Sequence, residues 1–206
     1  MMSSKLVPEV RFKEFSGEWE EKKLGEIATF LKGKGLSKKS IIKDGEYPCI
    51  HYGELFTNYK EVIAKIKSYT DINNNSFLSL ENDVLMPTSD VTPSGLARAS
   101  CIKKPNIILG GDILVIRSYV YGEFLSRYIR FLEREVLKFV SGSTVFHLYA
   151  SSIKKLKIFL PTLQEQQKIA NTLSSLDNLI EAQTKKIELL KEHKKGLMQK
   201  MFVNKD

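Results

Sequence analysis

Apolar residues recur at alternating intervals of three and four along the last forty residues of this chain. Ile169, Leu173, Leu176, Ile180, Ile187, Leu190, Leu197 and Met201 fall on a run of ten a/d heptad positions. Only Gln183 and Lys194 interrupt the stripe. From Leu163 to Phe202 there is no proline, and Gly196 is the single glycine. A seam that regular predicts one long helix packed lengthwise on another. Thr162-Leu163-Gln164-Glu165, directly after Pro161, reads as a capping box and sets the start of the helix.

The pattern upstream is mixed. Pro8 to Gly17 predicts an extended or irregular arm. Trp19, Leu24, Ile27, Ala28 and Leu31 have helical spacing, ended by Gly33 and Gly35, and predict a first helix. Tyr47–Tyr52, Asp83–Met86 and Gly111–Ile116 are short apolar runs between turn residues and predict strands. A polar loop is expected between Met86 and Cys101. Leu125, Ile129, Leu132, Val136 and Phe139 form the apolar face of a second helix, expected over Phe124–Phe139. Arg127, Arg130, Arg134 and Lys138 line another face of it, and a solvated surface accounts for them. Gly142-Ser143-Thr144 opens a turn, and Leu156–Leu160 alternates as a strand leading into the long helix. The fold class is α+β: a globular mixed α/β domain over residues 1–160, then a coiled-coil helix over 161–206.

Charge changes the picture next. The 206 residues carry 32 Lys and Arg against 24 Asp and Glu, a formal net charge of +8. Before Leu163 the count is 24 against 18, and from there on 8 against 6. The excess therefore sits mainly on the globular part, where an anionic partner is expected. Cys49 and Cys101 lack CxxC spacing, and His51, His147 and His193 lack metal-ligand spacing. With no leader-like start and no apolar run of membrane-spanning length, a cytoplasmic protein without membrane contact is expected.

The signatures of catalysis are missing. The sequence holds no GxGxxG, no P-loop, no Gly-x-Ser-x-Gly elbow and no Asn-Pro-Pro or Asp-Pro-Pro core. Three segments instead carry chemistry suited to DNA. Lys32, Lys34, Lys38 and Lys39 lie on a glycine-flexed stretch with Ser37, a composition that suits backbone phosphates. Ser89, Thr92 and Arg98 belong to the polar loop and can meet base edges or the groove. Ser143, Thr144 and His147 combine hydroxyls and an imidazole near Phe146, Tyr149, Lys154 and Lys155. Ser143 and Thr144 equally suit a simple turn, and His147 a partly buried, hydrogen-bonded place. The competing class is an interaction or scaffold protein whose basic surface is incidental.

Longer motifs carry a resemblance. Leu160-Pro161-Thr162-Leu163-Gln164-Glu165-Gln166-Gln167-Lys168-Ile169-Ala170, Leu173-Ser174-Ser175-Leu176-Asp177 and Lys194-Lys195-Gly196-Leu197-Met198-Gln199-Lys200-Met201-Phe202 resemble the conserved region of type I restriction-modification specificity (S) subunits. Pro8–Phe12, Phe15–Trp19 and Lys23–Ile27 resemble the start of a target-recognition domain of that family. Gly142-Ser143-Thr144 leading to Ile153–Leu156 is similar to its closing segment.

The resemblance implies a non-catalytic subunit that reads double-stranded DNA and docks methyltransferase and restriction subunits. It places S-adenosylmethionine, ATP and Mg on those partners, with no cofactor on this chain. The usual subunit has two recognition domains and two antiparallel helices, so this chain corresponds to a half-length form. A homodimer is then expected, with Ile169, Leu173, Leu176, Ile180, Gln183, Ile187, Leu190, Lys194, Leu197 and Met201 at its interface. Such a dimer would read an interrupted palindrome. Leu179, Leu189, Met198 and Phe202 lie off the stripe and suit either methyltransferase docking or a wider helix contact.

Overall fold

A computed structural model describes residues 6–203; the outermost five residues of the 1–160 region and three of the 161–206 region lie outside it. The strands in chain order are β1 (Glu20–Lys23), β2 (Ala28–Lys32), β3 (Tyr47–Ile50), β4 (Val62–Ile63), β5 (Ser68–Thr70), β6 (Val84–Pro87) and β7 (Ser89–Asp90). They continue as β8 (Ser100–Ile102), β9 (Ile108–Leu109), β10 (Ile113–Ser118), β11 (Val140–Gly142), β12 (Phe146–Leu148) and β13 (Lys157–Leu160). The helices are α1 (Leu24–Ile27), α2 (Glu54–Thr57), α3 (Gly122–Phe131), α4 (Glu133–Leu137), α5 (Ala150–Ile153) and α6 (Leu163–Met201). The chain divides into two units, Met1–Gln167 and Lys168–Asp206.

The first unit is built on a five-stranded sheet of order β2-β10-β6-β8-β4. Its central strands explain themselves. Val84, Leu85 and Met86 are buried on both faces, as are Ile113, Leu114, Val115 and Ile116. Continuous apolar runs of this kind belong to strands covered on both sides. Ile50, Leu55, Ile63, Leu85, Ile102, Leu109, Ile113 and Val115 form the main core. A smaller sheet, β5-β3-β9, packs Cys49 and Ile108 against Leu36.

The first predicted helix is corrected. Glu20–Lys23 is a strand paired antiparallel with β13, and Ala28–Lys32 is a strand paired with β10. Only Leu24–Ile27 keeps a helical turn, with Leu24 and Ile27 buried. The helical spacing was satisfied by these two residues, while sheet partners distant in sequence claimed the flanks.

The expected helix over Phe124–Phe139 is two helices that meet at Leu132, where the backbone leaves the helical region (φ −83°, ψ 24°). Arg130 is also not a solvated residue. Its guanidinium donates to Ala99 O at 2.6 Å, Ser100 Oγ at 3.2 Å and Glu61 Oε1 at 3.2 Å. It ties α3 to the strand edge below it. The expected polar loop after Met86 is ordered by β7, a 3₁₀ turn at Pro93–Ala97 and β8.

The root of α6 is held by side chains. Glu165 N–H donates to Thr162 Oγ1 at 3.4 Å, one half of the expected capping box. The Glu165 carboxylate does not complete the box. It is buried and accepts two bonds from the Arg11 guanidinium, at 2.8 and 2.7 Å. Gln166 donates to Pro161 O and accepts from Tyr121 N–H. The arm before Gly17 is therefore fastened to the first turn of the helix rather than left loose.

The second unit is the continuation of α6. Its stripe residues Leu173, Leu176, Ile180, Ile187, Leu190, Leu197 and Met201 are exposed, from 39% for Leu173 to 75% for Met201. Ile169 is half-buried.

Candidate nucleic-acid interface

Strand pairing brings the second and third sequence segments together. β12 lies between β11 and β7, with His147 opposite Ser89 and Phe146 opposite Asp90. The turn that carries Ser143 and Thr144 closes the β11–β12 hairpin, and both residues are exposed. Gly142 sits at φ +127°, where a side chain would be strained. An added Cβ there would lie 2.1 Å from Val145 O, so the hairpin can close only on glycine.

The first segment joins at the other side of the same cleft. Phe30, Lys32, Thr88, Ser89, Asp112, His147 and Tyr149 line it. Lys32 Nζ is 3.8 Å from Asp112 Oδ1, between two exposed side chains, so the contact leaves the ammonium available to a phosphate. Thr88 is fixed by bonds to Asp112 O through both its N–H and its hydroxyl. His147 and Tyr149 stack with ring centroids 6.0 Å apart and planes at 27°. Tyr149 is exposed. The cleft thus offers a cation, a hydroxyl, an imidazole and a flat aromatic face within one opening.

Thr92 and Arg98 lie in an adjoining hollow with Phe56, Asp90, Ser94, Arg130 and Glu133. Asp90 organises it: its carboxylate accepts from Val91 N–H at 2.7 Å and from the Thr92 hydroxyl at 2.8 Å. Gly95 leaves room for this carboxylate, since an added Cβ would lie 1.7 Å from Asp90 Oδ2 and would force it to move. Arg98 donates one N–H to Phe56 O at 2.9 Å, which anchors the side chain at its tip.

The remaining lysines sit beyond Lys32. Lys34 donates to Asn75 Oδ1. Lys38 and Lys39 occupy a 3₁₀ turn that begins after Ser37, whose Oγ lies 2.8 Å from Ser40 Oγ. A third hollow beside this turn is lined by Gly35, Leu36, Ser37, Ser40, His51, Tyr52 and Asp112. Burial pushes the His51 imidazole below its ordinary value, and the Lys38 charge adds to that shift against Glu54. Asp112 borders both this hollow and the Lys32 cleft.

Sequence reasoning passed over Asp112. Asp112 lies in a strand-leading turn far from the basic stretch in sequence, and only the β2–β10 pairing places it beside Lys32. Among the described residues no group of three or more His, Cys, Asp and Glu is arranged to hold a metal ion, and no helix is long and apolar enough to cross a membrane.

A sheet-based body that gathers hydrogen-bonding and cationic side chains at loop ends, joined to one long helix, has counterparts among known proteins. Residues 16–192 match the family model of the type I restriction modification DNA specificity domain, and the chain belongs to that family. It is 30% identical over 202 residues to the type I restriction enzyme MjaVIII specificity subunit of Methanocaldococcus jannaschii. The match covers 94% of this chain and 45% of the relative. The putative MjaX specificity subunit of the same organism is 28% identical, with 92% and 46% covered. The chain thus spans about half the length of the curated relatives it matches. Among solved structures, the type I S subunit from M. genitalium superposes with a TM-score of 0.62 at 18% identity, over 90% of this chain and 46% of that one. A structure from work on assembly and conformational transition of the type I R-M system gives 0.64 at 17% identity, over 90% and 45%. These structures share the fold.

Proposed function

We propose that this chain is the DNA sequence-recognition subunit of a type I restriction-modification system. The observation that carries the proposal is the convergence of Lys32, Ser89 and His147, from three separate segments, on one open cleft. In this reading Lys32, Lys34, Lys38 and Lys39 take backbone phosphates. Ser89, Thr92, Arg98, Ser143, Thr144 and His147 take base edges or the groove. Asp90 holds Thr92, and Arg98, tethered by one N–H, keeps other donors for DNA.

The chain does no chemistry of its own in this role. Methyltransferase subunits bring S-adenosylmethionine, and restriction subunits bring ATP and Mg. The exposed stripe on α6 supports a homodimer through that helix, because apolar side chains in such a row gain about 1.5–3 kcal/mol each on full burial. Two copies then read two identical half-sites as an interrupted palindrome.

Mapping methylated adenines in cells with and without this gene tests the reading. Loss of methylation at one interrupted palindromic sequence is the expected result. Unchanged methylation, together with no salt-dependent binding of the purified chain to duplex DNA, overturns it.

A further inference from the structure

The hollow beside the Lys38 turn has the make-up of a phosphate seat. We propose that it takes one backbone phosphodiester of duplex DNA on the His51 imidazole and the Ser37 and Ser40 hydroxyls. The inference rests on the DNA reading above and adds a site built from uncharged donors, apart from the lysines.

Two glycines point to an occupant from outside the chain. Gly33, just upstream, is required by packing, because an added Cβ would lie 2.0 Å from Gly110 O. Gly35 and Gly111 line the hollow and have no such reason. Neither has a positive φ. A Cβ on Gly35 would meet nothing within 4 Å, and one on Gly111 would meet only Gly35 N at 3.6 Å. Bare backbone that neither conformation nor internal packing demands leaves room for a ligand to come close.

The donors are set for an anion. His51 Nδ1 accepts the Gly53 N–H at 3.2 Å, so the proton of the neutral ring sits on Nε2. Among the described residues no group accepts that Nε2 proton. Burial lowers the imidazole below its ordinary value, so near neutral pH it is an uncharged donor. The residue is held by its backbone: His51 N–H donates to Glu54 Oε2 at 2.9 Å, and buried Glu54 also accepts from Asn58 and Ser68. Ser37 Oγ and Ser40 Oγ lie 2.8 Å apart, and whichever donates to the other, one O–H proton is left over. Asp112 is the one acid among the lining residues, and its contact with Lys32 offsets part of its charge. A phosphodiester carries a single negative charge, so Asp112 repels it less than the nearly doubly charged phosphate of a free nucleotide. Lys38 and Lys39 on the adjoining turn favour the approach of either.

Uncharged donors release no counterions, so salt separates this seat from the lysines. His51→Asn keeps an acceptor for the Gly53 N–H and removes the Nε2 donor. Gly35→Ala narrows the opening without an internal clash, and its urea midpoint is expected to stay unchanged or rise slightly. Fluorescence anisotropy of the full chain over a salt series, with cognate and random duplexes, is the measurement. His51→Asn is expected to weaken both duplexes about tenfold, and Gly35→Ala to weaken both by a smaller factor, with the salt slope unchanged. AMP, titrated calorimetrically as the probe for a free nucleotide, is expected not to bind. Native binding of duplex that neither variant weakens overturns the seat and leaves the DNA reading standing. A loss confined to the cognate duplex overturns the phosphate assignment. Tight AMP binding that His51→Asn abolishes overturns the duplex as the occupant. A native chain that binds neither duplex at low salt overturns both the seat and the DNA reading.

Discussion

Ser89 and His147 stand directly opposite each other in neighbouring antiparallel strands, although fifty-eight residues separate them in sequence. Side chains so paired have Cβ atoms about 4.5–5.5 Å apart, and in the proposed reading they act together on one base step. Ser89→Ala and His147→Ala are each expected to lower affinity for the cognate duplex by about 5- to 100-fold. Affinity for random duplex should stay within about twofold. Fluorescence anisotropy with both duplexes measures the split. Equal losses on both would place the pair outside base recognition.

Lys38 and Lys39 are expected to act on every sequence alike. Replacing both with Ala should weaken cognate and random binding equally. It should also reduce the slope of log affinity against log salt by about 2, one unit per lost phosphate contact. A slope unchanged over a salt titration removes these lysines from the interface.

Gly95→Ala tests the hollow around Asp90. The new methyl would overlap Asp90 Oδ2 and press on Phe56, so the carboxylate must swing away from Thr92. A cost of about 1–3 kcal/mol in urea unfolding is expected, with a loss of cognate binding beyond that of Thr92→Val. An unchanged unfolding midpoint would show that Asp90 moves freely.

Arg117→Ala should be among the most damaging single changes. Asp83 is 1% exposed, and the Arg117 guanidinium reaches its carboxylate twice at 2.8 Å. Leu80 N–H also donates to Asp83, so part of its charge stays compensated. Removing the arginine is expected to cost about 3 kcal/mol. Substitution of both residues by an apolar pair should recover much of the loss, as read by thermal unfolding.

Burial raises the Cys49 thiol to about 11 and the Cys101 thiol to about 12, from an ordinary 9.0. Desolvation of the thiolate is the main cause of both shifts. Between the unfolded and folded values the folded chain binds more protons than the unfolded chain. Stability is therefore expected to fall as pH rises from about 9, with no loss from these groups below it. At pH 8 an aromatic disulfide reagent should label both thiols slowly in the native chain and rapidly in denaturant.

What the sequence disclosed and what it hid separate by range. The stripe of α6 is a local periodicity, and the apolar runs of β6 and β10 are local as well. All were legible. Glu20–Lys23 was hidden because its strand state comes from β13, more than a hundred residues away. Arg130 looked solvated because its acceptors, Ala99 O and Ser100 Oγ, sit on a strand no spacing rule connects to α3. The basic stretch was visible as composition. Its neighbour Asp112 was not, since only the sheet sets the two side by side.

The pairing of β1 with β13 carries a consequence for exchange. The chain enters and leaves the body at one two-stranded seam, with Glu20 across from Leu160 and Lys23 across from Lys157. Everything between those strands hangs from that seam as a cassette. Arg11 and Glu165 lie outside that segment and fix where the helix begins, while Gln166 depends on it through the Tyr121 N–H. Changes between the two strands therefore leave the Arg11–Glu165 fastening of the helix root in place.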